Sequence, residues 1–312
     1  KKNKAEAGTV IILDNKKGEV LAMASYPSYN PNHPQRKIQK NRALVEAYEP
    51  GSVLKPIVLS KALDNALFSP DVPINIPRRL NLNDKIIVDS KNHEKLTPKE
   101  IIAVSSQVGA SKIALELGYE ELKRNYYNFG FTKPISINFP SSAFGYMDIK
   151  EKVSDRELAT LGYGYGITIS PFQIASAYSV FANKGEYKDF KLLKDQTITS
   201  RKIISDKSAI HILDALQKVV KEGTGKAAEI KGFSEGGKTG TVHKIRKGSG
   251  YAEDLYRASF IGIAPLSDKS LTIFVSIDDP GLNSYSGGAV AAPVFAKVAE
   301  SSLNYLGYFE DE

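Results

Sequence analysis

The chain has 312 residues, 42% of them apolar and 25% charged, enough to bury a full hydrophobic core as one large domain or as a domain with a lobe. The absence of cysteine excludes disulfides, thiolate zinc sites and cysteine nucleophiles, and no stretch approaches the roughly 18 uninterrupted apolar residues of a membrane span. The formal charge of +7 is spread over many lysines, which describes a solvated basic surface or attraction to an anionic membrane or polymer; no recognition motif points to nucleic acid.

The sequence opens almost directly on a strand pattern after Lys1-Lys2-Asn3-Lys4, with no signal-peptide core, so an N-terminal part is expected to lie outside it. Residues 8–14 and 18–25 are β-rich runs joined by the polar turn Asn15-Lys16-Lys17-Gly18, which predicts a hairpin. A Pro/Asn-rich loop from Tyr26 to Pro34 follows. Residues 52–67 carry an apolar stripe wide enough for a buried helix. Thr97-Pro98-Lys99-Glu100 is a capping box with proline at the first helical position; its helix should falter near Ser105–Gly109 and resume through Lys112–Leu117. Ser170-Pro171-Phe172-Gln173 opens another helix that stops at Gly185, and 207–221 is helical again. The pattern then returns to β over 236–243, 256–264 and 271–278, and a last helix runs from near Pro293 to Tyr305. Strands at both ends with helices between predict an α/β (α+β) fold, with one mainly antiparallel sheet built from both chain ends and an inserted helical lobe.

The four histidines, His33, His93, His211 and His243, show no HExxH or paired spacing, so no metal or other cofactor is expected. No G-x-S-x-G elbow is present. Ser52-Val53-Leu54-Lys55, however, places a hydroxyl and an amine three residues apart, on one face of a helix. A serine hydroxyl becomes a useful nucleophile when an adjacent base takes its proton, and a desolvated lysine can do so. Pro56 is tolerated only near a helix start, which puts Ser52 where the helix dipole favours a developing oxyanion. Taken alone, the motif also reads as an ordinary amphipathic helix start. Lys238-Thr239-Gly240-Thr241 supplies a lysine and two hydroxyls on a strand, suited to a substrate carboxylate, with room at Gly240 for a substrate backbone.

Together these resemble the S-x-x-K and K-T-G pair of penicillin-recognising serine enzymes. Their third element, S-x-N, would fall at the helix break, where the sequence reads Ser105-Ser106-Gln107. The resemblance widens through Asn41-Arg42-Ala43, Tyr48-Glu49-Pro50-Gly51-Ser52, Tyr26-Pro27-Ser28-Tyr29-Asn30-Pro31-Asn32, Gly164-Tyr165-Gly166-Ile167-Thr168-Ile169-Ser170-Pro171-Phe172-Gln173 and Gly287-Gly288-Ala289-Val290-Ala291-Ala292-Pro293-Val294-Phe295. Over nearly the whole chain, and in the expected order, it is similar to class B penicillin-binding proteins of the cell-division branch.

That resemblance implies one transpeptidase domain over 1–312, with its sheet from about 8–26 and 235–305 and its lobe over about 50–222. The membrane anchor and any non-catalytic domain would lie outside this sequence. It implies a peptidoglycan D,D-transpeptidase of septal wall synthesis at the periplasmic face of the inner membrane. Ser52 would be acylated by a stem peptide ending in D-Ala-D-Ala, Lys55 would be the base, and Ser105 would relay a proton to the leaving amine. Lys238, Thr239 and Thr241 would hold the terminal carboxylate along Gly240, and the Ser52 and Thr241 N–H groups would form the oxyanion hole. β-Lactams would acylate Ser52. A lipid-II-polymerising membrane glycosyltransferase and other division proteins would be partners.

Two departures stand out: Gln107 replaces the expected asparagine, and Val242-His243 follows the K-T-G-T. Literal Ser-x-Asn triplets begin at Ser28, Ser136 and Ser302, in the wrong order and context. Three rival readings accompany the main one. A serine β-lactamase would need a base for the deacylating water, for which Glu157 is the nearest candidate. A receptor or scaffold that acylates poorly would exploit Gln107. Gly232 to Thr239 also fits a phosphate-binding G-x-x-x-x-G-K-[ST] loop, which demands a helix straight after it.

Overall fold

In a computed structural model of the chain, the residues described are 3–30, 32–33, 40–82, 85–135, 137, 139, 142–246, 248, 250–281 and 284–308. Pro31 and Pro34 in the Pro/Asn loop, and Ser136, fall outside them. Five strands form the central sheet: β1 (Ala7–Asp14), β2 (Glu19–Tyr26), β3 (Gly236–Arg246), β4 (Gly250–Ala264) and β5 (Leu271–Asp278). Their order across the sheet is β3-β4-β5-β1-β2, antiparallel throughout, so the N-terminal hairpin docks on a C-terminal meander.

The strand period of two sends alternate side chains to opposite faces. Ile11, Leu13, Ile261, Ile263 and Phe274 join the larger core beneath the helical lobe. Phe260, Ile273, Val275 and Ile277 meet Phe295, Ala299 and Leu303 of the last helix on the other face. Layers of helix, sheet and helix result.

The lobe contains α1 (Lys55–Asp64), α2 (Pro98–Ala103), α3 (Gln107–Leu117), α4 (Tyr119–Asn128), α5 (Asp155–Gly162), α6 (Pro171–Ala182) and α7 (Asp206–Lys221). The final helix is α8 (Ala292–Tyr305). Helix α1 is the hub: it packs against α3, α4 and α7, and all but two of its ten residues are buried. The capping boxes expected at Thr97 and Ser170 form, each side chain accepting from the backbone N–H three residues on.

Several boundaries differ from expectation; β3 runs on to Arg246 and the helix from Ser170 ends at Ala182. The helix over 52–67 is a 3-10 turn, Gly51–Leu54, followed by α1; it stops before Ala66, whose φ of +54° cannot continue it. The interrupted helix resumes at Gln107, five residues early, because Ser106 caps it by accepting from Gly109 N–H at 2.8 Å. Strand β4 starts at Gly250 rather than 256. Its first residues lack an apolar alternation and are held by pairing across to Ile245 and Arg246. The stretch after Lys238 is strand, not helix, which removes the phosphate-loop reading.

Candidate active site

Ser52 lies in the 3-10 turn that feeds α1, with Pro56 in the first turn of that helix where its missing N–H costs nothing. The chain reaches this turn through Gly51, whose φ is +61° and whose absent Cβ would stand 2.4 Å from Val242 Cγ1. Only glycine satisfies both demands. Gly51 N–H donates to Gly164 O at 2.9 Å, and Tyr178 Oη donates to Val53 O at 2.7 Å, so the turn holding Ser52 is clamped on both sides.

Strand β3 brings Lys238, Thr239, Gly240 and Thr241 alongside. It is an edge strand, so one side of its backbone is left for an added strand. Gly240 is packed too tightly for a side chain, with Ser259 Oγ 2.4 Å from the Cβ it lacks. Thr241 Oγ1 accepts from Gly287 N–H at 2.9 Å, and Thr239 Oγ1 lies 2.8 Å from Thr224 Oγ1. Thr224, in the turn after α7, had no signature in the sequence.

The third wall is the break between α2 and α3. Ser105 adopts φ +61°, and its hydroxyl receives Lys55 Nζ at 3.2 Å and Lys238 Nζ at 3.0 Å. Lys55 Nζ also donates to Ser105 O at 2.5 Å. The Ser105 hydroxyl thus stands between the two amines and can exchange a proton with either. Lys55 and Lys238 are fully buried, whereas Ser52, Ser105 and Thr241 are half-buried. Burial thus hides the two amines and leaves the hydroxyls accessible.

Burial lowers the Lys55 pKa to about 7, against the pull of the Asp89 carboxylate, which favours its charged form. Lys238 is pushed well below the usual lysine range, first by burial and then by the charge of Lys55. The charge of Lys55 thus acts on Lys238, whereas for Lys55 itself burial is the lowering cause.

Asp89 is the residue that the sequence did not reveal. It accepts Ser106 Oγ and Gln107 N–H at 2.5 Å and Val108 N–H at 3.1 Å, and so fixes the start of α3 from a segment of the lobe remote in sequence. Gln107 is exposed and lines a cleft of about 770 Å³ with Glu49, Lys85, Tyr163, Tyr165 and Tyr251. Its side-chain amide makes no hydrogen bond among the described residues, to Lys55 or any other group. As the first residue of α3, Gln107 is held by its backbone and its side chain falls into the cleft. Ser52 Oγ and Lys55 likewise share no hydrogen bond here; Lys55 is turned to Ser105. Ser28 lies in the loop after β2 and Ser302 in α8, away from this constellation.

Glu157, the candidate water-activating base, closes the capping box of α5 and pairs with Lys150, which pulls its carboxyl to about 2. A carboxylate that binds protons so weakly is a poor base. His243 is an exposed residue of β3 and shares its Nδ1 with Ala252 O at 2.8 Å. Among the described residues no cluster of ligands could hold a metal ion.

Residues 8–300 match the family model for the penicillin binding protein transpeptidase domain. The chain is 35% identical to the probable peptidoglycan D,D-transpeptidase PbpC of Pseudomonas aeruginosa, covering 97% of this chain and 54% of that protein. It is 34% identical to the peptidoglycan D,D-transpeptidase FtsI of Escherichia coli, over 99% of this chain and 53% of that one. It therefore spans about half the length of these relatives. The apo TP domain of Burkholderia pseudomallei penicillin-binding protein 3 superposes with a TM-score of 0.90 at 32% identity, covering 100% of this chain and 92% of that structure. Penicillin binding protein 3 of Mycobacterium tuberculosis, solved in complex with aztreonam, gives 0.90 at 27% identity over 99% of this chain and 75% of that one. The fold, the lysine-bracketed serine and the match over 8–300 agree: this chain belongs to the penicillin-binding protein transpeptidase family.

Proposed function

We propose that this chain is the catalytic portion of a peptidoglycan D,D-transpeptidase, acting through an acyl-enzyme on Ser52. The observation that carries the reading is the Ser105 hydroxyl, bonded to both buried lysines beside the Ser52 turn and the K-T-G-T edge strand.

A stem peptide lies along β3 with its terminal carboxylate at Thr239, Thr241 and Lys238. Neutral Lys55 takes the Ser52 proton as Oγ attacks the penultimate D-Ala carbonyl, and the oxyanion rests on the N–H groups of Ser52 and Thr241. The C–N bond to the terminal D-Ala breaks as its nitrogen gains a proton relayed through Ser105. An amine from a second stem peptide then attacks the ester and frees Ser52. The weak basicity of Glu157 favours transfer to an amine over β-lactamase turnover. Gln107 lends its amide to the neighbouring cleft, on the substrate side rather than the lysine side. In the longer protein the activity belongs to septal wall synthesis on the periplasmic face of the inner membrane, beside a lipid-II-polymerising glycosyltransferase. No helix among the described residues is long and apolar enough to cross a membrane.

Intact-mass analysis after incubation with a fluorescent penicillin tests this directly. One adduct per chain is expected, on the peptide holding Ser52 and lost in Ser52→Ala. An adduct that survives that substitution would remove Ser52 from the reaction.

A further inference from the structure

Beside Val242, the residue that abuts Gly51, a charged group is buried without a part in the chemistry above. Arg257 of β4 is 9% exposed and sits in register between Val242 of β3 and Asp278 of β5. Its Nε and Nη2 donate to the two Asp278 oxygens at 2.6 and 2.7 Å. Nη2 also reaches Glu46 Oε2 at 3.2 Å, and the guanidinium lies over the Tyr48 ring, 3.9 Å from its centroid. Glu46 is held in turn by Arg42 at 2.5 Å and Lys40 at 2.7 Å.

A buried ion pair adds little net stability compared with apolar packing, because removing both charges from water offsets their attraction. A bidentate pair with a stacked ring does fix position, in the plane and across it. What it fixes here is the segment Glu46–Tyr48, four residues from Ser52. Tyr48 exchanges backbone hydrogen bonds with Ile169 at 3.2 and 2.9 Å on one side and carries Arg257 on the other. The neighbour of Arg257 on the edge strand, Val242, is the residue that abuts Gly51.

We propose that Arg257 is a positioning residue for acyl transfer, holding the Ser52 segment at a set distance from the K-T-G-T strand. The inference rests on the reading of Ser52 and Thr241 as the two oxyanion donors. Those donors ride on different elements, one on the turn before α1 and one on β3, so their separation depends on how the turn is tied to the sheet. Arg257 is the bidentate charged tie, with Arg42 lying 3.9 Å from the same Asp278 carboxylate. A shift of about 1 Å at such a site can lower a rate up to ~10²-fold.

The test uses the chain as it stands, with Arg257→Lys, which keeps the charge but loses the fork and the flat stacking face. Tyr48→Leu is the second variant; it removes the stacked ring and leaves the Asp278 pair intact. Penicillin labelling is followed in time and resolved into amplitude, half-saturating concentration and maximal rate. Both variants are expected to label to full amplitude, with a maximal rate ten- to a hundredfold lower and a half-saturating concentration changed less than threefold. A combined variant should lose less than the product of the two, since both act through one contact. Full-rate labelling by Arg257→Lys, or a fall in amplitude alone with the rate per labelled molecule unchanged, would overturn the inference and leave Arg257 a purely structural residue. A parent chain that takes up no penicillin at Ser52 would overturn the functional reading and this inference together.

Discussion

Lys55 and Lys238 converge on one oxygen, the hydroxyl of Ser105, at 3.2 and 3.0 Å. Two ammonium groups cannot share such a point without mutual repulsion in a buried site, so the arrangement favours fewer protons than two free lysines would carry. This is a means of keeping a lysine base unprotonated near neutrality.

The rate of acylation should follow from it. In the proposed reaction Lys55 can be the base only in its neutral form, and its pKa is lowered to about 7. Acylation is therefore expected to be flat above that value and to fall about tenfold per pH unit below it. Stopped-flow labelling between pH 5 and 9 measures this; a profile that rises only through the ~10.4 of free lysine would exclude Lys55 as the base.

Asp89 influences the same profile in a calculable direction. Its charge raises the Lys55 pKa, so Asp89→Asn should move the midpoint to lower pH. The same substitution weakens the grip on Ser106 and Gln107 N–H, and loss of such a cap costs about 1 kcal/mol. The expected result is an earlier but lower plateau, with a small drop in melting temperature. An unmoved midpoint would detach Asp89 from the lysines.

A carboxylate clamp at Lys238, Thr239 and Thr241, as proposed, predicts discrimination by charge. Esterifying the terminal carboxylate of a D-Ala-D-Ala depsipeptide should lower kcat/KM by one to two orders of magnitude, the equivalent of roughly 1.5–3 kcal/mol for a charge-assisted contact. Thr241→Val should erase most of the difference between acid and ester. Equal turnover of both by the parent would take Lys238, Thr239 and Thr241 out of substrate binding.

Gln107 faces the cleft, so its removal should act on substrate more than on chemistry. Gln107→Ala is expected to raise KM for a stem peptide severalfold while the maximal penicillin acylation rate stays within about twofold. A large fall in that maximal rate would instead place the amide on the reacting groups.

Much of this could be read from the sequence, and the reasons are local. Ser52, Lys55 and Pro56 are neighbours on one turn, Lys238 to Thr241 are consecutive on one strand, and the caps at Thr97 and Ser170 declare themselves within four residues. Asp89, Thr224 and the Arg257–Asp278 pair stayed hidden because each acts on a residue distant in the chain, where spacing carries no periodic signal. Gln107 was located correctly at the helix break, but its side-chain direction depends on how Asp89 seats the first turn of α3. The early start of β4 was missed for a similar reason: its pairing, not its composition, makes it a strand.

The placement of β1 between β5 and β2 has a consequence for how the molecule comes into being. Asn15 donates to Ser270 Oγ at 2.9 Å and accepts from Thr272 Oγ1 at 2.8 Å, the latter partner 257 residues away. On a ribosome adding roughly 5–20 residues per second, the β1–β2 hairpin waits on the order of 10–50 s for the strand that covers its inner edge. During that interval Ile11 and Leu13 border an unpaired edge, which is the sort of surface that recruits other strands. Closing so long a loop also slows the final step, because its entropy must be met before the contacts form. Nascent chains arrested between α7 and β5 should therefore aggregate or bind holding chaperones, whereas chains that extend through β5 and α8 should not.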